Sequence, residues 1–317
     1  MSDEHVWVVV LAAGDGHRVS ALTADDHGRP VPKQYSALGG EEPMLRWAIA
    51  RARGVVPMER VVVIVAEQHR RFWEKELTDL PPENLVVQPR NRGTAAGVLL
   101  AFLHVFLRGD AQARLLILPS DHYVANERAL RRSLVQALRA SGGADNRVLL
   151  LGMTPTDCDP EYGWVLPAGL GPIGEVARFI EKPGAETARG LMQHGALVNS
   201  FMLAAQASAL LRAYEEALPG MLRVFLGCLR GTSGPAGLER LYERIPNADL
   251  CRDVFEPVTR CLSVVRVPPC GWSDLGTPAR IQLFLSRKHP SGPSGRRAAP
   301  AGTATTGPYG ALAWASE

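Results

Sequence analysis

The chain has 317 residues, 46% apolar and 21% charged, with a formal net charge of +3. That is enough apolar material for one large packed domain or two small ones, and no uncharged apolar run approaches the roughly 18 residues of a membrane-spanning helix. Arg287, Lys288, Arg296 and Arg297 against Glu317 place the whole +3 in residues 286–317. Residues 1–285 are therefore formally neutral, which argues against nonspecific nucleic-acid binding by a basic surface.

The first two-thirds alternates short apolar runs with helical patterns. Val6–Leu11 is continuously apolar, as a strand buried on both faces should be. Leu45–Ile49 predicts a helix, Val61–Val65 a strand, Gln68–Leu77 a helix, Leu85–Val87 a strand and Thr94–Leu107 an apolar helix. Leu115–Leu118, Glu127–Ala140 and Val148–Leu151 continue as strand, amphipathic helix and strand. This rhythm implies an α/β, Rossmann-like fold: a mixed, mostly parallel sheet with helices on both faces.

Beyond about residue 155 the rhythm changes. Tyr162–Leu166 and Val176–Glu181 are expected as antiparallel additions and Leu197–Leu203 as a further strand, followed by helices broken at Pro219-Gly220 and Gly231–Gly237. Leu262–Val267 is the last expected strand and Pro278–Ser286 the last helix. The Gly-, Ala- and Pro-rich stretch that follows is expected to be disordered, which gives a domain over 1–285 and a tail over 286–317. Cysteines 158, 228, 251, 261 and 270 are odd in number and lack metal-finger spacing, so reduced thiols in a cytoplasmic protein are expected. An acidic start, Asp3-Glu4, is the wrong order for a secretory signal.

Ligands of open parallel sheets bind at the carboxyl ends of the strands, which selects Ala12–Arg18, Gln88–Ala95 and Pro119–Tyr123. Leu11-Ala12-Ala13-Gly14-Asp15-Gly16-His17-Arg18 offers backbone N–H groups to a polyphosphate and Arg18 as a charge, without matching the P-loop or dinucleotide pattern. Lysine occurs only at 33, 75, 182 and 288 among 35 basic residues. Two of these abut proline, Pro32-Lys33 and Lys182-Pro183, and a compact ammonium suits phosphate oxygens in a tight pocket. In Gln88-Pro89-Arg90-Asn91-Arg92-Gly93-Thr94, Gln88 can meet a base edge and Thr94 can cap the next helix. Asp121 in Pro119-Ser120-Asp121-His122 and Asp274 in Gly271-Trp272-Ser273-Asp274-Leu275-Gly276 suffice to hold magnesium (Mg2+) against phosphates, with His122 expected to be structural. Glu181 and Asn199 can bond sugar hydroxyls and Lys182 a sugar phosphate. Taken singly, each of these would also pass as an ordinary turn, cap or strand-end residue.

In order, the set resembles the sugar-1-phosphate nucleotidyltransferases, most closely the mannose-1-phosphate guanylyltransferase branch. The family's glycine-rich L-A-G-G-x-G-x-R-L loop, P-K-Q, N-R-G-T-A, P-S-D-H, Y-G-Y, F-x-E-K-P, N-S-G and G-W-S-D-x-G have counterparts here from Leu11 to Gly276. The resemblance implies a GT-A-like fold with an antiparallel sugar-binding extension, and substrates that are an NTP, expected to be GTP, and a sugar 1-phosphate, expected to be mannose 1-phosphate. It assigns Leu11, Ala12, Ala13, Gly14, Gln88, Gly93 and Thr94 to the nucleotide, and Arg18, Lys33 and Lys182 to the catalytic cations. Tyr162, Gly163, Glu181 and Asn199 fall to the sugar phosphate, and Asp121 and Asp274 to Mg2+. No nucleic acid or membrane is implied, and a homo-oligomer stays open.

Departures fall mainly on the sugar side: Phe201 where N-S-G has glycine, and Val198 where tryptophan is common. Ala13 replaces a glycine, His17 a threonine, and Asn247–Glu256 matches the family's acidic segment only in part. Uridylyl or thymidylyl transfer to glucose 1-phosphate, and a silent nucleotide-sugar sensor, remain open alternatives. A sugar-transferring enzyme would carry D-x-D; Asp157-Cys158-Asp159 has that spacing but reads as a turn between prolines.

Overall fold

A computed structural model of the chain describes residues 5–288 other than 26, 39, 144, 145, 232 and 233. In chain order the strands and helices begin with β1 (Val6–Ala12), α1 (Met44–Arg53), β2 (Val61–Ala66), α2 (Arg70–Glu76), β3 (Leu85–Gln88) and α3 (Gly93–Leu107). They continue with β4 (Arg114–Pro119), β5 (Tyr123–Val124), α4 (Glu127–Ser141), β6 (Val148–Met153), β7 (Gly163–Pro167), β8 (Ile173–Glu181), α5 (Ala185–Gln193) and β9 (Leu197–Gln206). Helices α6 (Ala207–Ala217), α7 (Pro219–Arg230) and α8 (Gly234–Arg244) precede β10 (Leu262–Val267), β11 (Trp272–Ser273) and α9 (Pro278–Lys288).

The described residues form a nine-stranded sheet in the order β3-β2-β1-β4-β9-β6-β10-β8-β7. Strands β3, β2, β1 and β4 are mutually parallel, as are β6 and β10, whereas β9 runs antiparallel to β4 and β6, and β8 to β10 and β7. β7 also pairs with β9, Trp164 opposite Val198, so β9, β6, β10, β8 and β7 close a ring of hydrogen-bonded neighbours.

β1 is central, hydrogen-bonded on both edges, and its side chains alternate between two cores. Trp7 and Val9 face α3, α6, α7 and α8; Val6, Val8, Val10 and Ala12 face α1, α2, α4 and α5. Both faces are thus covered, which is why the strand reads as an unbroken apolar run. Asn126 caps α4, its Oδ1 accepting from the Ala129 N–H at 3.0 Å.

A third, smaller cluster joins Val19, Leu38 and Met44 to Leu275, Ile281 and Phe284, and it anchors α9 over the loops near the strand ends. α9 runs on through Lys288, so two of the four cations counted with the tail, Arg287 and Lys288, lie on this helix. The tail expected to be disordered falls, from residue 289 onward, outside the described residues. Among the described residues no helix is long and apolar enough to cross a membrane.

Two short strands were not legible in the sequence. β5 pairs antiparallel with β11, Tyr123 opposite Ser273 and Val124 opposite Trp272. Continuing that register sets Asp274 beside the 121–122 segment, across some 150 residues of chain.

Candidate active site

The carboxyl ends of β1, β3 and β4 and the start of β9 open onto one cavity of about 620 Å³. It collects every residue expected to bind substrate or metal except Ala12. Ala12 is 1% exposed and packs in the core.

The loop after β1 is held from below. Gln34 Nε2 donates to the carbonyls of Ala12 (3.0 Å) and Gly14 (2.8 Å), and the Tyr35 hydroxyl donates to Ala12 at 3.2 Å. In a trans peptide the N–H points opposite to the preceding carbonyl. Anchoring these carbonyls therefore turns the N–H groups of Ala13 and Asp15 away from Gln34, a geometry suited to an anion. Arg18, 61% exposed, pairs with Glu161 across the mouth at 3.1 Å. An exposed pair of this kind contributes little and exchanges readily.

Lys33 lies under this loop and is 4% exposed. Its Nζ donates to Asp121 Oδ2 at 2.8 Å and to the backbone carbonyl of Asp274, so one ammonium ties the end of β4 to the turn after β11. Burial works to raise the Asp121 carboxyl, but the Lys33 ammonium, His122 and the hydrogen bonds to the carboxylate together hold it below the usual carboxylate range. His122 is 9% exposed and accepts from Trp272 Nε1 at Nδ1, 3.2 Å away. Burial pushes its imidazole down to about 4. His122 is thus a neutral, fixed neighbour at physiological pH, as expected of a structural residue.

The Asp274 carboxylate has partners that sequence reasoning missed. Arg280, on α9, donates to both its oxygens (2.8 and 3.0 Å), to Asp159, and stacks 4.0 Å over the Tyr162 ring. The Tyr162 hydroxyl and the Gly276 N–H also donate to Asp274 Oδ1, at 3.3 and 3.1 Å. Of the spaced Asp157 and Asp159, Asp159 holds a turn, its Oδ1 accepting the Glu161 N–H at 2.8 Å.

The donor chemistry of Asp121 and Asp274 fits a divalent cation. The Lys33 ammonium bonds the carboxylate of Asp121 and the backbone of Asp274; hard cations take oxygen ligands, and magnesium needs only one or two carboxylates beside substrate oxygens.

At the end of β3, Gln88 is 2% exposed and its Oε1 accepts from the Tyr242 hydroxyl at 3.3 Å. Gly93 has φ +84°, and a Cβ there would stand 2.1 Å from the carbonyl oxygen of Ala248; only glycine allows this approach. Thr94 does not cap α3, whose N-cap is Arg92 without a side-chain bond. Its hydroxyl instead donates to Asp249 Oδ2 (3.0 Å) and accepts from the Leu250 N–H (2.8 Å). Asp249 in turn accepts the N–H groups of Cys251 and Arg252, starting a π-helical turn over Leu250–Phe255. Such turns recur at functional sites, and this one supplies Asp249 and Cys251 to the cavity wall. The partly matching segment Asn247–Glu256 gave only a weak signal for it.

On the opposite side, β7 and β8 place Gly163 opposite Glu181, with Tyr162, Lys182 and Asn199 beside them. The Lys182 N–H donates to the Tyr162 carbonyl at 3.1 Å, and Asn199 Nδ2 contacts Cys251 Sγ at 3.3 Å. Burial, and then the charge of Asp249, push the Glu181 carboxyl up to about 7. It can therefore donate as well as accept a hydrogen bond near neutrality.

A strand-end cavity lined by the loop after β1, by Asp121 and Asp274 and by Glu181, Lys182 and Asn199 is the ligand site expected of such an α/β sheet. A family model described as nucleotidyl transferase matches residues 7–282, and the chain belongs to that family. The mannose-1-phosphate guanylyltransferase ManC of Salmonella typhimurium is 30% identical over 291 residues, covering 87% of this chain and 59% of its own length. A mannose-1-phosphate guanylyltransferase of Escherichia coli K12 is 29% identical over 292 residues, with 87% and 59% covered. The chain thus spans less than two-thirds of the length of either relative. A crystal structure from Thermus thermophilus, described as a mannose-1-phosphate geranyltransferase, superposes with TM-score 0.74 at 28% identity, over 86% of this chain and 76% of that one. A UDP-glucose pyrophosphorylase in complex with UDP-glucose (TM-score 0.58, 13% identity, 89% and 98% covered) shares the fold.

Proposed function

We propose that the chain transfers a nucleotidyl group from an NTP to a sugar 1-phosphate, releasing pyrophosphate, with GTP and mannose 1-phosphate as the preferred pair. The observation that carries this reading is the bridge made by Lys33. A buried ammonium bonded to Asp121 and to the Asp274 backbone lines the same cavity as the loop after β1 and Glu181, Lys182 and Asn199. The names of the relatives support the choice of base and sugar.

In this reading a phosphate oxygen of the sugar 1-phosphate attacks the α-phosphorus while the bond to the β-phosphate oxygen breaks, and no side chain becomes covalently modified. The Ala13 and Asp15 N–H groups and Arg18 hold the β- and γ-phosphates, and Lys33 stabilises charge on the departing pyrophosphate. Gln88, Gly93 and Thr94 line the base, while Lys182 holds the sugar phosphate among Tyr162, Gly163, Glu181 and Asn199. Asp121 and Asp274 would hold a divalent cation, magnesium by preference, which neutralises phosphate charge when bound. The remaining catalytic work is positioning.

Four NTPs assayed against several sugar 1-phosphates by pyrophosphate release test the reading, with turnover expected to be highest for GTP and mannose 1-phosphate. Asp121→Asn and Asp274→Asn are each expected to lose that turnover and keep the fold by circular dichroism. Full activity in either defeats the metal assignment. A preference for UTP or dTTP with glucose 1-phosphate replaces the base and sugar. Binding of nucleotide sugar without turnover of any pair makes the chain a sensor.

A further inference from the structure

Among the described residues, five non-glycine residues have φ in the left-handed region: Leu38, Asn146, Lys182, Phe201 and Leu275. Lys182 and Phe201 line the cavity, and Leu275 stands between two residues that do. Backbone strain gathers at functional sites, where the surroundings over-determine it. Phe201 is the extreme case, at φ +60° within the strand β9, a conformation that costs a residue with a Cβ about 1–2 kcal/mol.

Its neighbours fix the kink. Asn199 Oδ1 accepts the Phe201 N–H at 3.2 Å, while the Ser200 hydroxyl donates to the Leu151 carbonyl (2.7 Å) and accepts the Met202 N–H (3.3 Å). The β6–β9 pairing shifts register over the same stretch, between Leu150 and Gly152. A glycine would follow this path without strain, and glycine is what the resembled N-S-G pattern carries. A benzyl side chain kept on such a backbone calls for a reason in its contacts.

Those contacts are with the substrate cavity. The ring is half-buried, packs against the core beneath α3 and the π-helical turn, and lines the cavity. Leu203 stands opposite Ile117 in the β4–β9 ladder, so Phe201, two residues earlier, lies beside the Pro119 end of β4. Continued two residues further, the same register brings Asn199 toward Asp121, so Phe201 adjoins Asn199 along the cavity wall. An aromatic face there fills space next to hydroxyl-binding groups and presents an apolar platform to a sugar ring.

We propose that Phe201 determines sugar specificity: its ring floors the sugar subsite and restricts it to hexose 1-phosphates without an acylamino substituent. This rests on the nucleotidyl-transfer reading above. The test compares kcat/KM for mannose 1-phosphate and for N-acetylglucosamine 1-phosphate, at saturating GTP, in wild type, Phe201→Gly and Phe201→Leu. The ratio favouring the unsubstituted hexose is expected to fall tenfold or more in Phe201→Gly and by less in Phe201→Leu, with KM for GTP unchanged. A ratio within twofold of wild type in both variants overturns the proposal. So does a rise in KM for GTP that matches the loss on both sugars. If Phe201→Gly does not fold, the shift expected in Phe201→Leu decides. The same ratio is read as Kd by calorimetry with each sugar phosphate, so an inactive wild type defeats the transfer reading while the role of Phe201 is still decided.

Discussion

Gly93→Ala isolates the contact that joins the base-side loop to the segment before the π-helical turn. The new Cβ would meet the Ala248 carbonyl oxygen at 2.1 Å, its carbon at 2.8 Å and its nitrogen at 3.0 Å. All three are backbone atoms, so no rotamer change relieves the clash. The left-handed φ adds about 1–2 kcal/mol for any residue with a Cβ. Moving Ala248 aside strains the bonds from Ala95 N–H to the Ala248 carbonyl (3.0 Å) and from Ala248 N–H to the Arg92 carbonyl (3.1 Å). At about 0.5–1.5 kcal/mol each, the whole cost comes to about 2–5 kcal/mol. For a domain of this size that lowers the thermal midpoint by about 3–8 °C. Differential scanning calorimetry reads the midpoint, and equilibrium dialysis with GTP reads the site; both are expected to suffer. A wild-type midpoint with wild-type GTP affinity would show that segment 242–256 does not clamp the base-side loop.

Gly14→Ala is the converse, since its Cβ meets no atom within 4 Å. The midpoint should stay at the wild-type value while KM for the NTP rises on the order of tenfold, the loss of about one charge-assisted hydrogen bond; an unchanged KM removes the loop from phosphate binding. Glu181 gives a pH signature. Its folded value of about 7 lies above the ordinary 4.5, so the burial penalty is absent below about pH 4.5 and complete above about pH 7. Stability should therefore fall as pH rises through that window, and Glu181→Gln should flatten the fall. Identical pH–stability curves for the two proteins would refute the burial argument. Arg280→Gln should lower kcat on the order of tenfold with KM for the NTP unchanged, by releasing Asp274 and Tyr162. Arg280→Lys should restore only part, because a point charge cannot bond Asp159 and Asp274 and stack on Tyr162 together; full activity in both variants would make Arg280 incidental.

The parts of the fold legible in the sequence were those in which local pattern and burial agree. Val6–Leu11 reads as a doubly buried strand because both faces of β1 are covered. Glu127–Ala140 reads as a helix because its apolar stripe repeats at helical spacing. The strand-end rule then gathered the loops that line the cavity. What escaped was set by partners distant in sequence. Two-residue strands such as β5 and β11 carry no periodicity, yet their pairing is what brings Asp274 to Asp121. Thr94 has the composition of a cap, but its hydroxyl is taken by Asp249 and Leu250. Arg280 looks like one surface arginine among many until α9 folds back onto Tyr162. The position of Phe201 could be flagged from the missing glycine, but its left-handed backbone could not.

The formal neutrality of residues 1–285 has a local counterpart in the cavity. In the cavity Arg18 is bonded to Glu161, Lys33 to Asp121, and Arg280 to Asp159 and Asp274. In the proposed reading, a polyphosphate entering this site would meet cations already matched by carboxylates, and its binding would be an exchange of partners rather than attraction to a basic patch. The exposed Arg18–Glu161 pair exchanges at little cost. Lys33 is different: it is buried, and turning it toward phosphate leaves Asp121 without its counter-charge. A carboxylate stripped of its ammonium beside incoming phosphate oxygens is a stable arrangement only if another cation takes its place. Oxygen ligands from Asp121, Asp274 and phosphate are what a hard divalent ion accepts. In the proposed transfer reading, a divalent cation held by Asp121 and Asp274 would supply the charge that Asp121 loses when Lys33 turns to phosphate.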